Sequence, residues 1–493
     1  MKSTAICISL GRDNIKETLL DLKEAEKSAD IIEVRIDYMK DINESTLEEL
    51  LKKRTKPIII TIRKTDEGGR FSGSEEERLN LLKKSIRLKA DYVDIELSSG
   101  EEIISSLIEN KENTKIICSY HNFKETPGKI KSIYGRIKKL KPHIIKIVTF
   151  GESINDNFKH FELLKNNKNL ISFCMGLKGQ ISRILGAKYG SFLTFASLSN
   201  DSKTAEGQIA IEDLIDLYNI NLLNKNTKIL GVTGSYAENS LSKYMHNVNF
   251  REQGENYTYI PFKTEKEDLE EFMKNFKKFN FFGSAVTIPH KIDIIKYLDD
   301  IEDRAKKIGA VNTIVNKDGK LTGYNTDCKG AIDALSKKTE LKDRKVLVLG
   351  AGGAARAICY GLKEKEFSVI IANRTEERAM KLAEELDMKI CPLEDIYKYN
   401  YHIIINTTSI GMYPHINESI VEKDFLKGKV VFDIVYRPMM TKMLRDAIAV
   451  GSTVVEGYEM LLYQGIEQYK LWTGKEPSEN LMRKILFEQL GKE

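Results

Sequence analysis

A chain of 493 residues is too long for one ordinary core, so two or three domains are expected. Its 77 Lys and Arg against 72 Asp and Glu leave a net charge of only +5, with no block of like charge to grip nucleic acid. No apolar run reaches the roughly 20 residues that cross a bilayer, and the first residues carry no secretory core, so a cytoplasmic protein with neither nucleic-acid nor membrane partners is expected.

Up to residue 197, short apolar runs alternate with charged stretches of helical spacing. The runs are AICISL (5–10), IIEVRID (31–37), PIIITIR (57–63), YVDIEL (92–97), KIICSYH (115–121), IIKIVTF (144–150), LISFCMG (170–176) and FLTFAS (192–197). Between them lie segments such as ESTLEELLKKR (44–54) and EEERLNLLKKSIRLKA (75–90), amphipathic at helical period. Eight βα units in a row predict a closed (β/α)8 barrel, with an open doubly wound sheet as the alternative that pattern alone leaves standing.

A helical-looking IAIEDLIDLYNI (209–220) precedes the short polar segment 221–227, where a domain boundary is expected before the strand ILGVTG (229–234). A second α/β series opens at KVLVLGAGGAARAICYGL (345–362) and continues through SVIIANR (368–374), YHIIINTTS (401–409), VVFDIVY (430–436) and STVVEG (452–457). That series predicts a nucleotide-binding domain. The six cysteines, Cys7, Cys118, Cys174, Cys328, Cys359 and Cys391, show no metal-ligand spacing; reduced thiols and no metal site are expected.

Active-site residues of a parallel barrel come from the carboxyl ends of its strands. There stand Glu33 and Arg35, then Arg63 with Glu67 four residues on, Asp94 and Glu96, His121, and Lys146. Alternation puts Lys146 on one face with Ile144 and Val148, so it can point inward. A lone lysine or histidine in such a place is ordinarily structural. Together, a desolvated, uncharged lysine can attack a ketone, and the resulting imine acidifies the neighbouring carbon for a base such as His121. The arginines imply an anionic substrate.

These residues resemble type I 3-dehydroquinate dehydratase. The likeness rests on EVRID at 33–37, TIRKTDEGG at 61–69, DIEL at 94–97, SYHNF at 119–123, IIKI around Lys146 and ISRILG at 181–186, in that order over nearly the whole first half. It implies a barrel over 1–222, Lys146 as the Schiff-base lysine, His121 as general acid and base oriented by Glu67, and Arg183 as the carboxylate clamp. Glu33, Arg35 and Arg63 would hold the substrate's hydroxyls and ring, and Thr204 and Gln208 would close over it. Where the family has Pro in this last loop the chain has Glu206, expected to loosen the loop and to add a negative charge.

In the second half, VLGAGGAARA (348–357) follows a strand and opens a helix, the setting in which Gly350, Ala351, Gly352, Gly353 and Ala354 can wrap a pyrophosphate. Outside that setting the motif would be an ordinary tight turn. Asn373, Arg374 and Thr375 end the next strand, where arginine favours the extra phosphate of NADP over NAD. Lys291 ends AVTIPHK and Asp327 ends GYNTD; by spacing alone they could equally be a solvated ion pair.

The order SLS (240–242), MHN, TIPHK, IGAVNT, YNTD, GAGGAARA, ANRT, NTTSIGM and GYEMLLYQG resembles shikimate dehydrogenase from about residue 228 onward. It implies a substrate-binding domain over 228–330 completed by helices at 458–493, and an NADP-binding Rossmann domain over 331–457. Lys291 and Asp327 become the proton-transfer pair and Ser240 and Ser242 the carboxylate holders. Thr287, Asn312, Tyr436 and Gln464 become ring contacts, and Gly457 borders the cofactor. Around the serines the family's Pro, His and Pro are Tyr236, Asn239 and Lys243 here.

Both likenesses together imply a bifunctional enzyme of the shikimate pathway, on the way to chorismate and the aromatic amino acids. It would be lyase and NADP-dependent oxidoreductase in one chain, with 3-dehydroquinate, 3-dehydroshikimate and shikimate as its small-molecule partners. A different Schiff-base enzyme, such as a class I aldolase, is disfavoured by the arginine set and the second half. A non-enzymatic sensor would be expected to have lost Lys146, His121, Lys291 or Asp327, and all four are present.

Overall fold

A computed structural model describes residues 4–40, 42–340 and 343–491. All eight apolar runs form strands: β1 Ala5–Leu10, β2 Ile31–Arg35, β3 Ile58–Thr61, β4 Tyr92–Glu96, β5 Lys115–Asn122, β6 Ile144–Phe150, β7 Leu170–Met175 and β8 Leu193–Ser197. They lie in the order β7-β6-β5-β4-β3-β2-β1-β8. The two ends of that row meet: the Phe192 N–H donates to the Leu170 carbonyl at 2.9 Å, and the Phe173 and Phe195 rings lie 5.9 Å apart. The closed barrel is therefore the architecture, not the open sheet. Its interior is one buried cluster to which every strand contributes, among them Cys7, Ile59, Ile117, Ile144, Ile171 and Leu193.

The helix expected over 209–220 begins two residues late and is short. Ile209–Ala210 extends the sheet beside β8, and helical backbone follows over 211–217 and Ile220–Leu222. The β-branched Ile209 favours the extended form where the edge of β8 is open to pair with.

By internal contacts the chain divides into two units, Met1–Lys228 with Asn256–Asn275, and Ile229–Glu255 with Phe276–Glu493. Counting all of 228–330 in one domain therefore differs from these units. Segment Asn256–Asn275 goes with the barrel because Phe272 packs on Phe158, and Asp268 takes a 2.6 Å hydrogen bond from Ser153 and a 3.3 Å ion pair from Lys178.

In the second unit, strands Lys228–Gly234, Gly283–Val286, Thr313–Lys317, Lys320–Tyr324 and Asp300–Ile301 are neighbours in that order. A separate sheet runs Lys389–Ile390, Ser368–Ala372, Lys345–Leu349, Ile403–Asn406, Val430–Asp433 and Thr453–Val455, parallel throughout. This is the doubly wound order, whose switch point lies between Lys345–Leu349 and Ile403–Asn406. The closing helix Gly457–Thr473 returns to the first sheet, where the Trp472 indole donates to the Ile314 carbonyl at 3.0 Å. All six cysteines are free and buried. Among the described residues no helix is long and apolar enough to cross a membrane.

Candidate active sites

The barrel strands gather a buried network of charges. Lys146 projects inward between Ile144 and Val148, its amine 3.0 Å from Asp94 Oδ2, 3.3 Å from Glu33 Oε1 and 4.4 Å from the Phe195 ring centre. Burial alone suggested an uncharged amine in an apolar barrel. In the structure two carboxylates pair with the amine, partners that the apolar strand alone did not announce. Burial opposes ionisation of Asp94 and Glu33, yet Arg63 and Lys146 at Asp94, and Lys146 and Arg35 at Glu33, hold both below the usual carboxylate range.

Arg63 donates to Asp94, Glu96 and Ser119 at 3.1, 3.2 and 2.9 Å. Asp94, collected above at the end of its strand, and Ser119, which had no assigned role, thus both touch the centre directly. The available signal was register: on neighbouring strands Glu96 lies opposite Ser119, and Ser119 opposite Lys146, so their side chains share the inner face.

His121 Nδ1 lies 3.3 Å from Glu67 Oε2. Burial lowers the imidazole well below its ordinary value, with Arg63 and Lys146 adding to the effect, so the ring is neutral at neutral pH. Burial raises Glu67 to about 7, although the Ser98 hydroxyl at 2.5 Å and Arg63 pull the other way. The turn carrying Glu67 needs the glycine that follows: Gly68 has φ +73°, and a Cβ there would lie 2.3 Å from Phe123, whose ring stacks on His121.

Arg183 is 1% exposed and lies 4.4 Å over the Phe173 ring. Its Nε has no hydrogen-bond partner among the described residues, and burial brings it down to about 10. A buried guanidinium with a spare donor fits an anion. Arg35 is held in two bonds by Asp37, at 2.9 and 2.7 Å. Gln208 folds back on its own loop, accepting from the Thr204 N–H at 2.7 Å. Glu206 points its side chain to solvent while its carbonyl accepts from the Gly176 N–H at 3.2 Å, so the backbone ties this loop to the end of β7.

In the second unit Lys291 and Asp327 meet at 2.5 Å. Asp327 is the first residue of helix Asp327–Ser336, where the helix dipole favours a carboxylate, and its other oxygen accepts from Asn312 at 2.8 Å. Asn312 also approaches Gln464 at 3.5 Å. The Ser240 hydroxyl donates to Ser242 at 2.9 Å, and Thr287 borders Gly234, where a Cβ would lie 2.4 Å from its methyl. Tyr436 is half-buried.

The phosphate turn fits a dinucleotide. Gly350 has φ +116°, and a Cβ there would strike Thr407 Oγ1 at 2.4 Å; at Gly352, the N-cap of helix Gly353–Glu364, a Cβ would enter open space. Ala351 and Ala354 are half-buried beside it, and Arg374 is exposed between Asn373 and Thr375. Gly353 approaches the stem of Lys291, 3.2 Å from where its own Cβ would stand, so phosphate turn and lysine share one cleft. Gly457 is required by packing, since a Cβ would lie 2.5 Å from the Val435 carbonyl. Among the described residues no group of three His, Cys, Asp or Glu is placed to hold a metal.

A barrel with an inward lysine beside a histidine–glutamate pair, and a doubly wound unit with a lysine–aspartate pair at its phosphate turn, define a two-site carbonyl enzyme, part lyase and part nicotinamide-dependent oxidoreductase. The model of type I 3-dehydroquinase matches residues 6–225. Models of the shikimate dehydrogenase substrate binding domain, of shikimate / quinate 5-dehydrogenase and of the shikimate 5'-dehydrogenase C-terminal domain match 232–314, 333–438 and 457–487.

The chloroplastic bifunctional 3-dehydroquinate dehydratase/shikimate dehydrogenase of Arabidopsis thaliana is 37% identical over 509 residues, covering 98% of this chain and 84% of that protein. The shikimate dehydrogenase (NADP(+)) of Methanocaldococcus jannaschii is 42% identical over 284 residues, 55% of this chain and all of that one. A crystal structure of shikimate dehydrogenase in complex with NADP+ superposes with a TM-score of 0.52 at 41% identity, covering 54% of this chain and 97% of that one. The chain belongs to the family of bifunctional 3-dehydroquinate dehydratase/shikimate dehydrogenases.

Proposed function

We propose that the two sites act in sequence: the barrel converts 3-dehydroquinate to 3-dehydroshikimate through an imine on Lys146, and the second unit reduces that product to shikimate with NADPH. The observation that carries the first step is the inward amine of Lys146 among Asp94, Glu33 and the His121–Glu67 pair. Lys146 gives up a proton and attacks the ketone carbon; water leaves as C=N replaces C=O. His121 then takes a proton from the adjacent carbon, and the imine accepts the electron pair. The hydroxyl on the next carbon leaves with a proton returned by His121, and water releases the amine. Arg183 holds the carboxylate, Glu33, Arg35 and Arg63 the ring and hydroxyls, and Thr204 and Gln208 close the site.

NADPH, when bound, supplies the hydride for the second step. Lys291 gives a proton to the carbonyl oxygen as negative charge grows there, and Asp327 holds the lysine in place. Ser240 and Ser242 hold the substrate carboxylate, and Thr287, Asn312, Tyr436 and Gln464 its ring and hydroxyls. Asn373, Arg374 and Thr375 take the ribose phosphate. Residues 1–222 form the dehydratase domain, 228–330 with 458–493 the substrate domain, and 331–457 the cofactor domain.

Incubation with 3-dehydroquinate and NADPH tests the whole scheme. NADPH absorbance should fall and shikimate accumulate; a chain that consumes NADPH with 3-dehydroshikimate but never with 3-dehydroquinate would refute the first half.

Two further outcomes are expected. A carboxyl with a pKa of about 7 is neutral below that pH and ionised above it, and only the anion supports a charged His121. Dehydration kcat/KM should therefore rise with pH through about 7, and Glu67→Gln should remove that rise and cost about 10- to 100-fold on its alkaline side. A pH profile of the variant that keeps the rise assigns it to another group. For the cofactor, a guanidinium on a phosphate contributes roughly 1.5–3 kcal/mol, a preference for NADPH over NADH of about 10- to 100-fold. Arg374→Ala should abolish most of it, read as the ratio of kcat/KM for the two cofactors.

A further inference from the structure

Arg78 stands behind the barrel site rather than in it. Its helix, Glu75–Arg87, starts at a capping box in which Ser74 and Glu77 satisfy each other's backbone N–H groups, and this fixes the first turn, where Arg78 sits. The side chain is fully buried. It donates five hydrogen bonds: two to Glu75 at 2.8 Å each, one each to Glu96 and Ser99 at 2.6 Å, and one to the Ile62 carbonyl at 3.1 Å. A buried guanidinium is tolerated only when so satisfied.

From Arg78 the charges alternate inward. Glu96 accepts from Arg78 at 2.6 Å and from Arg63 at 3.2 Å; Arg63 reaches Asp94 at 3.1 Å; Asp94 accepts from Lys146 at 3.0 Å; Lys146 reaches Glu33 at 3.3 Å. These are three cations and three carboxylates, none more than 4% exposed. Substrate chemistry touches only the inner end of the row.

We infer that Arg78 is a positioning residue for imine formation: by holding Glu96 from outside, it leaves Arg63 free to neutralise Asp94, so that Lys146 is not the sole cation on Asp94 and can leave it for the ketone. This rests on Lys146 being the nucleophile. Without Arg78, Glu96 has Arg63 as its only cation, and the guanidinium is drawn outward. Asp94 then holds the ammonium of Lys146 more tightly, and losing the proton becomes harder. The other groups facing Lys146 are Glu33 on β2, Cys7 on β1, His121 on β5 and the Phe195 ring on β8, with Arg35 beyond Glu33. None of them is a hydrogen-bond partner of Arg78, so a shift in pH dependence reports on the row.

The test compares the full-length parent with Arg78→Met and Arg78→Lys. Each is treated with 3-dehydroquinate and borohydride, and the rate of mass attachment to Lys146 is followed from neutral to alkaline pH. In Arg78→Met the neutral-pH rate should fall about tenfold and its rise should move up by about one pH unit, the two being equivalent. Arg78→Lys, which keeps the charge but not the fork, should recover most of the loss. NADPH reduction of 3-dehydroshikimate by the same preparations should match the parent. A folded Arg78→Met whose trapping profile superimposes on the parent's overturns the inference, even if its Tm is lower. If Arg78→Met does not fold, Arg78→Gln, which keeps hydrogen-bond donors but not the charge, decides: a shift in the same direction supports the inference and a superimposable profile overturns it. A parent that is never trapped at Lys146 refutes the imine itself, a separate outcome.

Discussion

Lys146→Ala should lose dehydration of 3-dehydroquinate by a factor on the order of 10⁴ or more, the scale on which removing a nucleophile acts, while reduction of 3-dehydroshikimate by NADPH continues at the parent rate. The contrast is expected because Lys146 lies inside the barrel and the Lys291–Asp327 pair belongs to the other unit. Among the described residues the one amine that Asp94 and Glu33 approach is that of Lys146, so no second lysine is placed to replace it. Borohydride with substrate should inactivate dehydration in the parent and attach ligand mass to the peptide carrying residue 146. Alanine should also release Asp94 and Glu33 from one cation each, leaving two buried carboxylates on Arg63 and Arg35. A clear loss of stability should therefore accompany the loss of activity, and a Tm scan separates the two. Substantial dehydration by a folded Lys146→Ala would remove the imine from the mechanism.

Much of this was legible because the barrel repeats one simple pattern. Eight apolar runs with helical segments between them admit few architectures, and alternation along β6 put Lys146 inside before any coordinates were needed. The count of eight favoured closure over an open sheet, and the contact that closes the barrel, Phe192 on Leu170, depends on how the strands twist and coil. The partners of Lys146 were hidden for a related reason. Desolvation can be inferred from an apolar strand, but the partners that offset it come from other strands, and Asp94 is 52 residues away in sequence. The row from Arg78 to Glu33 is likewise invisible in one dimension: Arg78 sits in EEERLNLL, which reads as an ordinary charged helix face. In the second unit, strand–turn–helix around Gly350 was recognisable as a phosphate turn. Its approach to Lys291 was not, because only the fold brings Gly353 against that side chain. Gly457 shows the converse: a glycine assigned to the cofactor is required by backbone packing on Val435.

Lys291→Met should lower kcat for 3-dehydroshikimate reduction by about 10²- to 10⁴-fold, the range expected when a positioned proton donor is lost, with dehydration unchanged. Asp327→Asn should cost less but act on the same step. Its two oxygens are taken by Lys291 at 2.5 Å and Asn312 at 2.8 Å, and an amide can keep the shape of that pair while giving up the charge that orients the ammonium. If the pair acts only as the alkoxide forms, kcat and kcat/KM should fall together in both variants. If it merely anchors substrate, KM should rise with kcat preserved. The position of the pair favours the first outcome: Gly353 of the phosphate turn lies against the lysine stem, so Lys291 stands next to the turn that would hold a dinucleotide. The double variant should be scarcely slower than Lys291→Met alone, since an aspartate that works by holding a lysine has nothing left to hold. Additive losses would mean that Asp327 touches the substrate in its own right.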